Sequence, residues 1–158
     1  MPEPKKILIS RTDAIGDVCL TLPVCMALKK QFPAAQLVYL CRKYTAPVVA
    51  CFEPIDDLLL FEDLEALSKE ERQAKLKGFS AVLHLFPNKI VGQWCKEARI
   101  PLRVGTAHRL HHWTTCNLLP WFSRKRSDLH EAQLNFYLAK AHLKKYGYQL
   151  RRIILALI

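Results

Sequence analysis

Residues 6–32 read KILISRTDAIGDVCLTLPVCMALKKQF, and this stretch decides the fold. Lys6 to Ser10 is a short, branched apolar run of the kind that forms a buried strand. From residue 18 the apolar side chains Val18, Leu22, Cys25, Leu28 and Phe32 recur at helical spacing. Lys29 and Lys30 fall in the last turn, where cations suit the negative end of the helix dipole. Pro23 leaves two options: the helix starts just before it with Thr21 as N-cap, or it kinks there. A strand, a polar turn and a helix in this order make the opening of a βα unit.

The same alternation continues. Gln36 to Cys41, Asp57 to Phe61, Ala81 to Phe86 and Leu102 to Gly105 read as further strands. Helical patterns cover residues 62–77, ending at Gly78, then 88–98, then 128–146. The last is the longest, with Asp128 as cap, Glu131 three residues on, and Gly147 as its end. Gly16, Gly78, Gly105 and Gly147 stand at element boundaries. The expected fold class is therefore α/β: a Rossmann-like parallel sheet with helices on both faces.

Composition narrows the class further. The chain has 158 residues, 51% of them hydrophobic and 24% charged, which fits one ordered domain. No apolar run nears the ~20 residues of a membrane span, and the start shows no signal-peptide pattern, so a cytoplasmic location is expected. Cys19, Cys25, Cys41, Cys51, Cys95 and Cys116 form no CxxC pair, and most lie in apolar runs as reduced thiols do. Lys and Arg outnumber acids 24 to 14, a formal charge of +10 that favours an anionic partner.

The chemistry concentrates in the first turn, Arg11-Thr12-Asp13-Ala14-Ile15-Gly16-Asp17. Ligands of open α/β sheets bind beyond the carboxyl ends of strands, and the first βα turn is a favoured place. Neither GxGxxG nor GxxxxGK[ST] occurs, so dinucleotide and P-loop readings fail. Two carboxylates crowd the turn instead. Asp17, at the helix start, is placed to act as a general base; the plain alternative is a carboxylate favoured by the helix dipole. A second unusual stretch is residues 108–126, HRLHHWTTCNLLPWFSRKR, with basic residues among aromatics. It suits an anionic lipid or sugar-phosphate surface, or single-stranded nucleic acid; otherwise Trp113 and Trp121 are core. A zinc site from His108, His111 or His112 with Cys116 matches no established spacing. His84 reads as a hydrogen-bonded core histidine, and His130 and Asn135 as residues fixing the last helix to the sheet.

Residues 7–40, ILISRTDAIGDVCLTLPVCMALKKQFPAAQLVYL, resemble the opening of glycosyltransferase family 9, the ADP-heptose:lipopolysaccharide heptosyltransferases. Arg103-Val-Gly-Thr-Ala-His-Arg109 and Leu129-His-Glu-Ala-Gln-Leu-Asn135 resemble the end of that family's first domain. The resemblance implies the N-terminal half of a GT-B enzyme: residues 1–148 as the acceptor-binding domain, and 149–158 as an apolar tail or the start of an interdomain connection. The C-terminal donor domain that would hold ADP-heptose is absent, so the chain is expected to be inactive alone. The reaction implied is inverting transfer, without metal or other cofactor, to Kdo–lipid A or inner-core heptose. It would occur at the anionic cytoplasmic face of the inner membrane. Asp17 matches the family's catalytic base. Arg11, Thr12, Asp13, Gly16, Arg103, Arg109 and His112 are the candidate acceptor-binding residues. Two other readings stand beside it: a Rossmann-like module that binds an anionic ligand or, less readily, nucleic acid without catalysis, and a subunit whose donor half is a separate chain.

Overall fold

The computed structural model describes residues 2–121 and 130–147. Five strands, β1 (Lys6–Ser10), β2 (Gln36–Cys41), β3 (Asp57–Leu60), β4 (Ala81–His84) and β5 (Leu102–Val104), pair in the order β3-β2-β1-β4-β5. Every pair is parallel, with Ile9 level with Tyr39 on one side and Leu83 on the other. Around the sheet lie α1 (Ile15–Cys19), α2 (Leu22–Gln31), α3 (Ala46–Ala50), α4 (Phe61–Ala66), α5 (Lys69–Leu76), α6 (Lys89–Glu97), α7 (Leu110–Thr115) and α8 (Glu131–Lys144).

Both faces of the sheet are covered, which is why its strands read as continuous apolar runs rather than alternating ones. Ile7, Ile9 and Leu83 join Val24, Leu28, Leu134 and Leu138 in one core, under α2 and α8. Leu8, Val38 and Val82 join Phe61, Leu76, Val91 and Trp94 in the other, under α4, α5 and α6. Each large side chain fully buried in this way contributes about 1.5–3 kcal/mol. The expected α/β class is what the coordinates show.

Local differences from the sequence reading have physical causes. The first helix divides at Leu20–Thr21; Pro23 sits in the opening turn of α2, as the first option had it. Thr21 occupies the cap position, but its hydroxyl donates to the Val18 carbonyl and meets the Tyr39 hydroxyl instead of capping. The 62–77 helix is two helices, because Ser68 adopts an extended backbone and forms a capping box with Glu71. The last helix is capped by His130 paired with Gln133; Asp128 lies outside the described residues. Strands three to five end early, and Leu85 and Phe86 turn so that both N–H groups reach the Ser10 carbonyl.

Candidate active site

The strand order reverses between β1 and β4, and open α/β sheets bind ligands beyond the carboxyl ends of the strands at such a switch point. The residue leaving β1 there is Arg11, whose side chain is only 3% exposed. Its guanidinium grips Asp13 with two hydrogen bonds, Nε to Oδ1 at 2.8 Å and Nη2 to Oδ2 at 2.9 Å. Nη1 donates to the Leu85 carbonyl at 3.1 Å, to Glu131 at 3.0 Å and to Asn135 Oδ1 at 3.3 Å. Burial works against the cation, but the bonds and charges of Asp13 and Glu131 outweigh it, and the pKa is raised.

A third carboxylate completes the group. Asp17 Oδ1 lies 3.5 Å from Arg11 Nη2. The three acids differ in access: Asp13 is 18% exposed, Glu131 23% and Asp17 42%. Asp13 and Glu131 are held close to the guanidinium, whereas Asp17 is held loosely and faces outward. Beside it, a Cβ built on Gly16 would meet nothing within 4 Å, so the space over this turn is open.

Neighbouring elements pin the turn. The Asn88 amide donates to Thr12 Oγ1 at 3.0 Å, while Asn88 Oδ1 caps α6. Arg42 Nε donates to the Thr12 carbonyl at 3.3 Å, and the Tyr44 hydroxyl to the Asp13 carbonyl at 2.9 Å. Asn135 accepts from Arg11 and donates to the Leu20 carbonyl, tying α8 to the sheet as expected of it. Glu131, Arg42, Tyr44 and Asn88 were not legible as site residues. Their distance in sequence from the turn hides them, and only Glu131 carried a signal, mistaken for half of a capping box.

The remaining expected residues sit elsewhere. Arg103 donates Nε to the Thr115 carbonyl at 2.7 Å and Nη1 to the Ile100 carbonyl, clamping β5 to α7. Arg109 is exposed at the start of α7. His112 is fully buried, with Nδ1 3.1 Å from the Thr106 carbonyl, and it packs against Gly105. That ring supports the loop after β5 and is buried beneath it. A Cβ on Gly105 would come within 2.6 Å of His112 and 2.7 Å of Cys116, so glycine is required for that packing.

His84 is buried, but neither ring nitrogen has a hydrogen-bond partner among the described residues, which corrects the hydrogen-bonded reading. Burial first, then the charges of His112, His111 and Arg103, depress its pKa to about 3. Trp113 and Trp121 are exposed rather than core. Among the described residues no group of three or more His, Cys, Asp or Glu could hold a metal ion, and no helix is long and apolar enough to cross a membrane. Cys25, Cys41, Cys95 and Cys116 are buried free thiols, Cys19 and Cys51 exposed ones.

A parallel sheet in the order β3-β2-β1-β4-β5, covered by helices on both faces, defines the class: a Rossmann-like α/β unit. Solved structures with a similar fold include a glycosyl transferase family 9 protein and heptosyltransferases. A glycosyl transferase family 9 structure from Veillonella parvula DSM 2008 matches with a TM-score of 0.69 and 21% identity, over 87% of this chain and 40% of that one. E. coli heptosyltransferase WaaC with ADP-2-deoxy-2-fluoro heptose matches at 0.68 and 15%, over 91% and 49%. E. coli ADP-heptose lps heptosyltransferase II matches at 0.64 and 15%, over 87% and 40%. The chain thus spans less than half the length of each. No family model matches the sequence, and no curated protein does. At these identities the likeness establishes the shared fold.

Proposed function

We propose that this chain is the acceptor-binding half of an inverting heptosyltransferase, with Asp17 as general base. The observation that carries the reading is the position of Asp17. It is the outward-facing member of a carboxylate trio arranged by a buried arginine at the β1–β4 switch point. A sugar hydroxyl is a poor nucleophile; a carboxylate within hydrogen-bond reach accepts its proton as the oxygen bonds to the anomeric carbon. The bond from that carbon to the ADP phosphate breaks on the opposite face, which inverts the centre. Arg11 orients Asp17, and Asp13 and Glu131 hold Arg11.

In this reading the acceptor is Kdo–lipid A or an inner-core heptose at the cytoplasmic face of the inner membrane. ADP-heptose is held by a second Rossmann-like domain facing this one. Large hydrophobics exposed beyond the carboxyl ends of the strands suit a surface that the second domain covers. Ile15, Tyr44, Ile90, Leu110, Trp113 and Trp121 all lie in segments that follow the carboxyl ends of strands. A module that merely binds anions is the weaker reading, because three carboxylates around one guanidinium repel an anion from this turn.

The test is Asp17→Asn in a polypeptide carrying both halves, assayed for heptose transfer from ADP-heptose. Turnover falls about 10²–10⁴-fold while acceptor binding persists; unchanged turnover refutes the assignment. For the chain alone, calorimetry with ADP-heptose shows no affinity tighter than about 1 μM.

A further inference from the structure

Behind the Arg11 turn lies a buried polar group that the transfer chemistry does not use. Ser10 and His84 are level partners on the adjacent parallel strands β1 and β4. Two residues back on each strand, Leu8 and Val82 belong to the core under α4, α5 and α6. Side chains alternate along a strand, so Ser10 and His84 face that same side. Both are enclosed, at 0% and 1% exposure. Yet Ser10 Oγ and both ring nitrogens of His84 have no hydrogen-bond partner among the described residues. On its other side Ser10 is level with Leu40, which offers it nothing polar. The His84 ring faces that of His112 with centroids 5.7 Å apart, and His112 meets His111 at 4.5 Å. His111 Nε2 is likewise a buried atom without a partner among the described residues.

We infer that ordered water is built into the fold here: one molecule bridges Ser10 Oγ to one nitrogen of His84, and a second links the other nitrogen toward His111 on α7. A neutral imidazole carries one donor and one acceptor, and burying both unused is unfavourable; a leucine or phenylalanine would fill the place at lower cost. Buried polar groups that the protein leaves unpaired are satisfied by enclosed water, which takes two to four such partners. Adjacent strands run about 4.8 Å apart, a gap that one water spans with two hydrogen bonds of about 2.8 Å each. The Ser10 hydroxyl donates or accepts, so it complements either tautomer of His84. A metal ion is the other species that imidazoles hold, but among the described residues no group of three or more His, Cys, Asp or Glu is arranged for one. The place of this water gives it a role. Ser10 immediately precedes Arg11, and His84 immediately precedes Leu85, whose carbonyl accepts from Arg11 and whose N–H donates to the Ser10 carbonyl. The water therefore ties together the two strand ends from which the Arg11 guanidinium is held, and Ser10 and His84 become positioning residues for it. None of this depends on the proposed function.

The test has two arms on the full chain. A high-resolution crystal structure of the unsubstituted protein should show solvent density within about 3.2 Å of both Ser10 Oγ and a His84 ring nitrogen. The second arm is a double-mutant cycle of Ser10→Ala and His84→Phe, read by denaturant titration. Each single variant strands the partner of the shared water. The folding equilibrium constant of the double variant should therefore exceed the value expected from multiplying the two single losses, by at least about threefold. The inference is overturned by a direct Ser10–His84 hydrogen bond with no solvent between them, by apolar packing without solvent density, or by density with the anomalous scattering of a metal ion. Single losses that simply multiply also overturn it. The density is read from the unsubstituted chain, so it decides even if a variant does not fold. Neither arm uses a sugar donor or acceptor, and failure here leaves the role of Asp17 to its own variant.

Discussion

Replacing Arg11 by methionine tests the architecture of the site. The substitution keeps much of the buried stem and removes one cation. What remains is the pair Asp13 and Glu131, 18% and 23% exposed, with Asp17 nearby and no guanidinium between them. The Leu85 carbonyl and Asn135 Oδ1 also lose their donor. Removing one partner of a buried ion pair costs about 3–5 kcal/mol, because the charges left behind are neither solvated nor paired. For a chain of this size that is roughly 6–20 °C in melting temperature. Arg11→Lys keeps the charge but cannot grip Asp13 with two bonds while serving Glu131, so it should fall between the two. The pH dependence follows from sign. The arginine pKa is raised, so its side of the pairing is present throughout the accessible range. Thermal unfolding followed by circular dichroism at pH 7 reads the loss. A shift smaller than about 2 °C at pH 7 would refute the view of Arg11 as the buried organiser.

Asp17→Asn, in contrast, should leave stability within about 1 kcal/mol of wild type, because a half-exposed carboxylate 3.5 Å from its partner holds little together; a larger loss by denaturant titration would make it structural. Gly105→Ala should cost roughly 1–3 kcal/mol, since its Cβ would collide with His112 and Cys116, whereas Gly16→Ala projects into open space and should unfold at nearly the wild-type temperature. Equal melting temperatures for those two variants would contradict the packing around His112. His84 and His142 are buried with pKa values depressed from 6.5 to about 3 and about 4, so the unfolded chain takes up protons before the folded one does. Their stabilising effect is complete above pH 6.5 and is lost as pH falls toward 4, with a slope of about 1.4 kcal/mol per pH unit for each. Substituting both by leucine should flatten the melting-temperature profile between pH 6.5 and 4.5; an unaltered profile would show that these rings are not the cause.

Order along the chain is the part of this protein that its sequence alone determined. Five apolar runs separated by helical patterns were legible because a doubly covered parallel strand needs unbroken burial, and a helix needs its 3.6-residue period. The turn from Arg11 to Asp17 was legible for a similar reason: a polar, glycine-containing segment between a buried strand and a helix has few other uses. Helix boundaries were less so, since the breaks at Thr21 and Ser68 depend on single side chains bonding to local backbone. Tertiary structure decided which charged residues act together. Arg11 and Glu131 are separated by 120 positions yet lie 3.0 Å apart, and no periodic pattern records such a meeting. The same holds for His112, whose polar type suggested a ligand contact, and for Trp113 and Trp121, whose apolar type allowed a core. Burial is a property of what packs above a residue. Here Gly105 and the loop after β5 cover the histidine, while α7 turns Leu110 and Trp113 outward and Trp121 stands exposed beyond that helix.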